Sequence, residues 1–550
     1  MTAEIGFSFW DYAIFIAYAI VIMGIGLFVS RKKKGHERNA EDYFLASKSL
    51  PWWAIGASLI AANISAEQMI GMSGSGMAVG LAIASYEWMA ALTLIIVGKY
   101  FLPIFIEKGL YTIPEFIEKR YSTNLKTILA IFWIGLFIFV NLTSVLFLGG
   151  KAIDTILGDG DGSLIFPAII GLACFAAAYS IYGGLAAVAW TDVVQVTLLV
   201  IGGFITTLIA LANVTPDGGI IDGFQHIYTT ASDKFHMILD KDNPEFINLP
   251  GIAVLIGGMW VANLYYWGFN QYIIQRTLAA KSLREAQRGI VFAAFLKLIV
   301  PLFVVIPGII VWVMFSQPEG TAVIDGIADT FTKADGSMNY DKAYPWLIGS
   351  FIPAGLKGLV VAALAAAIVS SLASMVNSTS TIFTMDIYKP YLENKKAKNK
   401  DVAIGRISGG VALLIAIFVA PMLGNIEQAF QYIQEYTGLV SPGILAVFMM
   451  GLFYKKATNR GAITGILVSI PVALALKLTP SLDLPWLDQM FYTFLITMTV
   501  IAMVSLSTNK LDDDPKGIVL TNKMFITGKA FNLAAYAVLV ILVALYAIFW

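Results

Sequence analysis

The stretch Trp52–Gly76, WWAIGASLIAANISAEQMIGMSGSG, decides the fold. It begins as an apolar helix and ends in glycines, with Asn63, Ser65, Glu67 and Gln68 between. Those side chains are too polar for a plain membrane span. A helix in lipid must satisfy its backbone internally, so irregular backbone at membrane depth survives only inside protein or against a cavity. A helix broken here offers free carbonyls to a cation and side chains to a polar solute. The competing reading is a polar seam packed on neighbouring helices, a common use of small and polar residues. Glu67 is read as a rim residue.

The composition around this stretch sets its medium. Of 550 residues, 58% are hydrophobic and 13% charged, against about 25% charged in soluble domains. Apolar runs of span length recur throughout, which indicates membrane helices rather than the weak alternation of a β-barrel. The formal net charge is zero, so no basic surface argues for nucleic acid. Cys174 is the single cysteine and has no internal partner. His36, His226 and His236 fall in expected loops, which leaves no histidine pair for haem and no His/Cys cluster for a structural metal. The N-terminus lacks a basic region and a small-residue cleavage site, so its first span is read as retained.

Fourteen spans are expected, near 8–30, 52–75, 79–106, 127–156, 163–181, 187–213, 251–273, 287–316, 354–385, 403–421, 425–453, 459–477, 487–507 and 527–549. Cations mark alternate connections: Arg31 to Lys48, Lys108 to Lys126, Arg276 to Arg288, Lys389 to Arg406, Lys455 to Arg460, and Lys510 with Lys516. These loops face the cytoplasm by the positive-inside rule, and an even span count places both termini outside. The longest outer loops, 214–250 and 317–350, read as ordered caps.

A second interrupted helix is expected at 251–273, GIAVLIGGMWVANLYYWGFNQYI, with glycines in its first half and Asn263, Tyr265, Tyr266, Trp267 and Asn270 in its second. Five spans separate its start from that of 52–75, and an odd number inverts the second unit relative to the first. Broken helices at matching places of two inverted halves point to a transporter's binding site. The chain then divides into 1–50 (first helix and basic loop), 51–213 (first five-helix repeat), 214–250 (outer loop), 251–453 (second repeat) and 454–550 (three peripheral helices).

Two constellations carry chemistry. On 354–385, Ala367, Ser370 and Ser371 share one helical face, at i, i+3 and i+4. Small cations take oxygen ligands; the break near Ala61 and Ile64 supplies carbonyls and the serines supply hydroxyls. Tight packing with back-bonded serines is the plainer account. The second set comprises Glu87, Lys297 and Gln434, deep in spans, with Gln68 and Asn263. A charge at the bilayer centre costs at least ~2.5–3.5 kcal/mol, so these side chains face a wet cavity or each other. Many donors and acceptors with little net charge suit a polyhydroxylated solute, and Tyr266 adds a face for a sugar ring. A purely structural Glu87–Lys297 pair competes with that reading. Asp192, read as lying in the first turn of its span, is either a helix N-terminal acid or part of a cation path.

YSIYGGLAA at 179–187 and GLFYKKATNRGA at 451–462 resemble motifs of the sodium/solute symporter family, although Ser469 stands where the second motif ends in glycine. AANISAEQ, ASYEWM, VANLYYWGFNQYIIQRT, AAAIVSSLASM and QAFQYIQEYTGLVSPG resemble its bacterial sodium/galactose branch. The resemblance implies an all-α leucine-transporter-type fold: ten core helices in two inverted five-helix repeats, one helix before and three after. It implies a sodium ion held by the backbone oxygens of Ala61 and Ile64, the Ala367 carbonyl and the Ser370 and Ser371 hydroxyls. The implied sugar ligands are Gln68, Glu87, Asn263, Lys297 and Gln434. Tyr266 stacks as an inner gate backed by Asn63, Tyr265 and Trp267, while Met72, Tyr86 and Phe430 close the outer side. One departure is Ala90, where the galactose pattern has serine.

The expectation is a sodium-driven importer of a neutral hexose in a bacterial inner membrane, working by alternating access without covalent chemistry. Its partners are sugar, sodium and lipid, with oligomeric state left open. Inositol, sialic acid or proline is the alternative cargo; a sugar-responsive sensor or channel is the alternative class.

Overall fold

The computed structural model describes every residue except 1–6, 32–38, 159–160, 217, 317–326, 334–335, 394–399, 425–427, 480–482 and 510–511. Lys32, Lys33, Lys34, His36, Arg38, the lysines at 395–398 and Lys510 lie outside the described residues. Among those described, the regular elements are helices, with two isolated β-bridges and no strand. Ten helices are long and apolar enough to cross a membrane, or eleven when Phe430–Gly438 and Ser441–Phe453, bent by 52°, count as one.

Three expected breaks are located. The spans placed at 163–181 and 187–213 are two helices that meet at a kink at Gly184 within Ile165–Val214. Gly184 has φ +68°, and a Cβ there would lie 2.4 Å from the Tyr43 carbonyl, so glycine is required on both counts. The expected helix 52–75 is Trp52–Asn63, an extended Ile64 (φ −76°, ψ 100°), a π-helical turn Glu67–Met72, and Ser73–Ala78. The segment from 251 breaks at Gly257, as its glycines lead one to expect, and again at Asn270 (φ −80°, ψ 122°) before continuing as Gln271–Leu278. His226 lies in the helix Ile220–Thr230 rather than in a loop.

Burial separates centre from periphery. The most apolar window of Leu356–Tyr391 is 94% buried, against 17% for Phe9–Val29 and 22% for Lys529–Ile548. Leu283–Ser316 clamps both halves of the first broken helix, backbone against backbone. A Cβ on Gly308 would lie 2.0 Å from the Ser73 carbonyl, and one on Gly289 2.8 Å from that of Trp52. Dispersion and close approach drive helix association in lipid, and such small residues permit both.

The two broken helices run antiparallel. Leu50 pairs with Ala280 through backbone hydrogen bonds; further along, Ser58 meets Arg276 and Asn63 meets Tyr266. In each, twelve residues of helix precede the deep break, Trp52–Asn63 in one and Gly258–Phe269 in the other. The N-terminal helix is tied to the core by Asp11, whose Oδ1 accepts from the Gly355 and Gly358 amides at 2.9 and 2.6 Å. At the other end the Met237 amide donates to the Phe549 carbonyl. The C-terminal end of the chain therefore lies against the loop 214–250. Lys234 of that loop donates to the Ala78 carbonyl and lies 4.9 Å from the Trp312 ring centroid; burial holds its ammonium below the ordinary lysine pKa.

Three cations assigned to basic loops are buried instead, among them Lys126, which donates to Glu118 at 2.6 Å. Arg120 donates to the carbonyls of Gly451, Tyr454 and Ala457, and Arg276 is fully enclosed within the helices. Each had looked like a loop cation because its neighbours in sequence are polar.

Candidate functional site

The six side chains expected to hold a solute converge on one cavity: Gln68, Glu87, Asn263, Lys297, Gln434 and Tyr266. It lies against the break in the first helix. Gln68 faces it because the chain turns at Ile64; the Ser65 amide and hydroxyl both donate to Gln68 Oε1, each at 3.1 Å, which leaves the Gln68 amide nitrogen for a ligand. Glu67 also lines the cavity and accepts from Ser144 Oγ at 2.7 Å.

Glu87 and Lys297 form the anticipated ion pair, and Lys297 donates to Asn63 Oδ1 as well. The ammonium lies 5.0 Å from the Trp267 ring centroid, a cation–π contact. Asn63 Nδ2 then donates to Tyr266 OH at 3.0 Å, and Tyr272 OH donates to the same oxygen at 2.8 Å. The two charges are thus paired, bonded and set at a cavity wall, so the structural and ligand readings describe one arrangement.

The residues named as gates fall on two sides of this space. Tyr86 and Phe430 meet edge to face, with centroids 5.0 Å apart and planes at 87°. Tyr265, Trp267 and Asn63 line the wall around Tyr266. Met72 is buried but does not reach the cavity. Thr437 and Ser441 were missed by the sequence reading: both line the cavity, and their hydroxyls have no hydrogen-bond partner. They follow Gln434 at i+3 and i+7, so helical spacing was a usable signal. Ala90 is buried at the wall.

Part of the expected cation constellation, Ser371 and Ala61, meets next to the same break. Because the Ser65 amide is engaged by Gln68, the carbonyl of Ala61 is released from its helical partner. Ser371 Oγ lies 3.4 Å from that oxygen and 3.1 Å from the Ala62 carbonyl. Ala367 is buried one turn earlier on the same helix. Ser370 turns to Asp192 instead, donating to Oδ1 at 2.6 Å. A hydroxyl that donates to a carboxylate keeps its own lone pairs for a cation.

Asp192 is corrected in position: it stands eight residues beyond Gly184 and is fully buried, not at a helix start. Its Oδ2 accepts from Ser58 Oγ at 2.5 Å and lies 3.7 Å from the Arg276 guanidinium. Arg276 also donates to Ser58 Oγ, Ser374 Oγ and the Tyr272 carbonyl. Among the described residues no cluster of three or more His, Cys, Asp or Glu side chains forms a metal cage; the oxygens gathered here are neutral carbonyls and hydroxyls, which fit a monovalent alkali cation.

A polar cavity against broken, antiparallel helices, with cation-type oxygens beside it, defines a secondary transporter. The sodium:solute symporter family profile matches residues 43–469, and the chain belongs to that family. It is 64% identical over 547 residues to a sodium/glucose cotransporter of Vibrio parahaemolyticus, covering 100% of this chain and 99% of the relative. It is 33% identical to the sodium/myo-inositol cotransporter 2 of Bos taurus, over 84% of this chain and 69% of the relative. A substrate-bound, outward-open sodium-coupled sialic acid symporter shares the fold, with TM-score 0.77 and 24% identity over 93% of this chain and 100% of that one.

Proposed function

We propose that this protein imports a neutral hexose of the galactose/glucose type together with sodium across a bacterial inner membrane. One observation carries the reading: six polar residues from distant parts of the chain meet in one cavity, directly against the break to which Ser371 is docked. The cavity is rich in donors and acceptors, while its acid and base cancel, as a dehydrated neutral polyol requires.

In this account sodium takes the backbone oxygens of Ala61, Ile64 and Ala367 with the Ser370 and Ser371 hydroxyls. The Ser371 proton, now shared with carbonyls, turns away as the ion enters. The ion then ties the first broken helix to the Ser370 helix and steadies Gln68 in the sugar site. Glu87, Lys297, Asn263, Gln434 and Gln68 bond the sugar, and Tyr266 stacks on it. Asn63, Tyr265 and Trp267 support Tyr266 as the inner gate, and Met72, Tyr86 and Phe430 close the outer side. Asp192 lies on the route by which sodium leaves.

The proposed topology has fourteen spans. The two broken helices, the two arms about Gly184 and the bent pair at 430–453 each count as crossings. The repeats are 51–213 and 251–453, their inversion supported by the antiparallel broken helices; the termini lie outside. One sodium ion crossing ~100 mV supplies about 2.3 kcal/mol. A tenfold gradient adds about 1.4, enough for several-hundredfold accumulation at one sodium per sugar.

Uptake of labelled galactose into proteoliposomes tests this reading. Accumulation should need an inward sodium gradient and should collapse in Ser371→Ala. Uptake indifferent to sodium would overturn the coupling. A second cargo, myo-inositol, is favoured by the 33% identical relative; its ring of hydroxyls would use the same ligands, and competition with galactose decides between them.

A further inference from the structure

A groove unrelated to the transport cavity opens on the face that holds the basic loops, between the start of the first broken helix, Leu283–Ser316 and the C-terminal helix Lys529–Ile548. It is an open slot of about 700 Å³, surrounding space included. Trp52 and Phe292 form one wall, packed edge to face with centroids 5.6 Å apart. Phe531 forms the other, and Val291 and Phe295 line the floor. Ala530 and Ala534 open it, since two small residues at i and i+4 leave a gap that longer side chains would fill.

The mouth of the groove is cationic. Arg288 borders it with a side chain 49% exposed. Arg284 stands one turn before Arg288 and Lys529 stands next to Ala530, both exposed. The one acid on this stretch of helix, Glu285, is engaged: its Oε2 accepts the Trp52 amide at 2.9 Å, while Oε1 lies 3.5 Å from Arg288. An apolar slot of this size between membrane helices does not stay empty, and a cationic mouth at the cytoplasmic interface selects the sign of the occupant's head. Neutral lipid would fill the slot but bring no anion to Arg288, whose contact with Glu285 is a long 3.5 Å.

We infer that this groove is a binding site for one anionic glycerophospholipid of the cytoplasmic leaflet, its acyl chain between Trp52 and Phe531 and its phosphate at Arg288. The site belongs to the membrane-facing surface and takes no part in binding sugar or sodium. Its floor is nevertheless the helix that carries Lys297, and one wall begins the broken helix.

Native mass spectrometry of the full-length protein, released from micelles holding equal phosphatidylglycerol and phosphatidylcholine, tests the assignment. One phosphatidylglycerol adduct should survive on the wild type, with phosphatidylcholine adducts minor. Arg288→Ala should lower its retention about fivefold, as expected for one cation near a charged head group. Ala534→Trp, which fills the slot and leaves every charge in place, should abolish it. Equal retention of the two lipids by the wild type would mean annular contact only and would overturn the site. So would phosphatidylglycerol retention unchanged in both variants; and if Ala534→Trp fails to fold, the Arg288→Ala result decides alone.

Discussion

Glu87 and Lys297 meet at the wall of a cavity, whereas Asp192 and Arg276 meet inside packed protein. Both pairs join helices far apart in sequence, and both are bonded beyond the partner charge. The first shares its cation with Asn63 and Trp267 and has space beside it for a solute. The second is ringed by Ser58, Ser370 and Ser374 and fully buried. A pair beside empty space can exchange a protein partner for a ligand; a pair enclosed by serines holds helices in register and presents the serine oxygens to an ion. On the proposed function, recognition falls to the first pair and organisation of the cation site to the second.

The largest expected effect falls on the enclosed pair. Arg276→Met strands a buried carboxylate and should destabilise the protein by about 3–5 kcal/mol, seen as a lowered melting temperature in detergent. Glu87→Gln should leave melting much closer to wild type, because its cavity admits water; equal losses would erase the distinction. The converse readout is sugar affinity. Removing a charged hydrogen-bond partner costs about 1.5–3 kcal/mol, so Glu87→Gln should raise the KM for galactose roughly ten- to a hundredfold.

Smaller effects sharpen the map of the recognition side. Thr437→Val and Ser441→Ala remove hydroxyls that have no protein partner and line the cavity. Each should weaken sugar binding by about two- to tenfold with little change in melting. Unchanged affinity in both would remove that wall from the site. The smallest change runs the other way: Ala90→Ser adds a hydroxyl at the cavity wall and should tighten galactose binding by a few-fold at most.

Much of the recognition side was legible in the sequence because polar residues in apolar helices are costly and therefore conspicuous. Gln68, Glu87, Asn263, Lys297 and Gln434 stand out for that reason, and all five reach the cavity. The break after Asn63 was legible from the same excess polarity. Arg276 was not, because a cation in a polar stretch looks solvated until the fold supplies Asp192. Asp192 was misplaced because its span was started at 187, whereas its helix resumes directly after the break at Gly184. Asn270 was overshadowed by Gly257-Gly258, since an extended asparagine leaves a weaker local mark than two glycines. Thr437 and Ser441 are ordinary helix residues by type; only their spacing from Gln434 gave them away.

The central claim is that the cation and sugar sites are one thermodynamic unit joined through the first broken helix. Equilibrium binding of labelled galactose, with and without saturating sodium, tests it most directly. Sodium should tighten galactose at least tenfold in the wild type, galactose should tighten sodium by the same factor, and both effects should vanish in Ser371→Ala. Galactose affinity that is the same with and without sodium in the wild type would contradict the account.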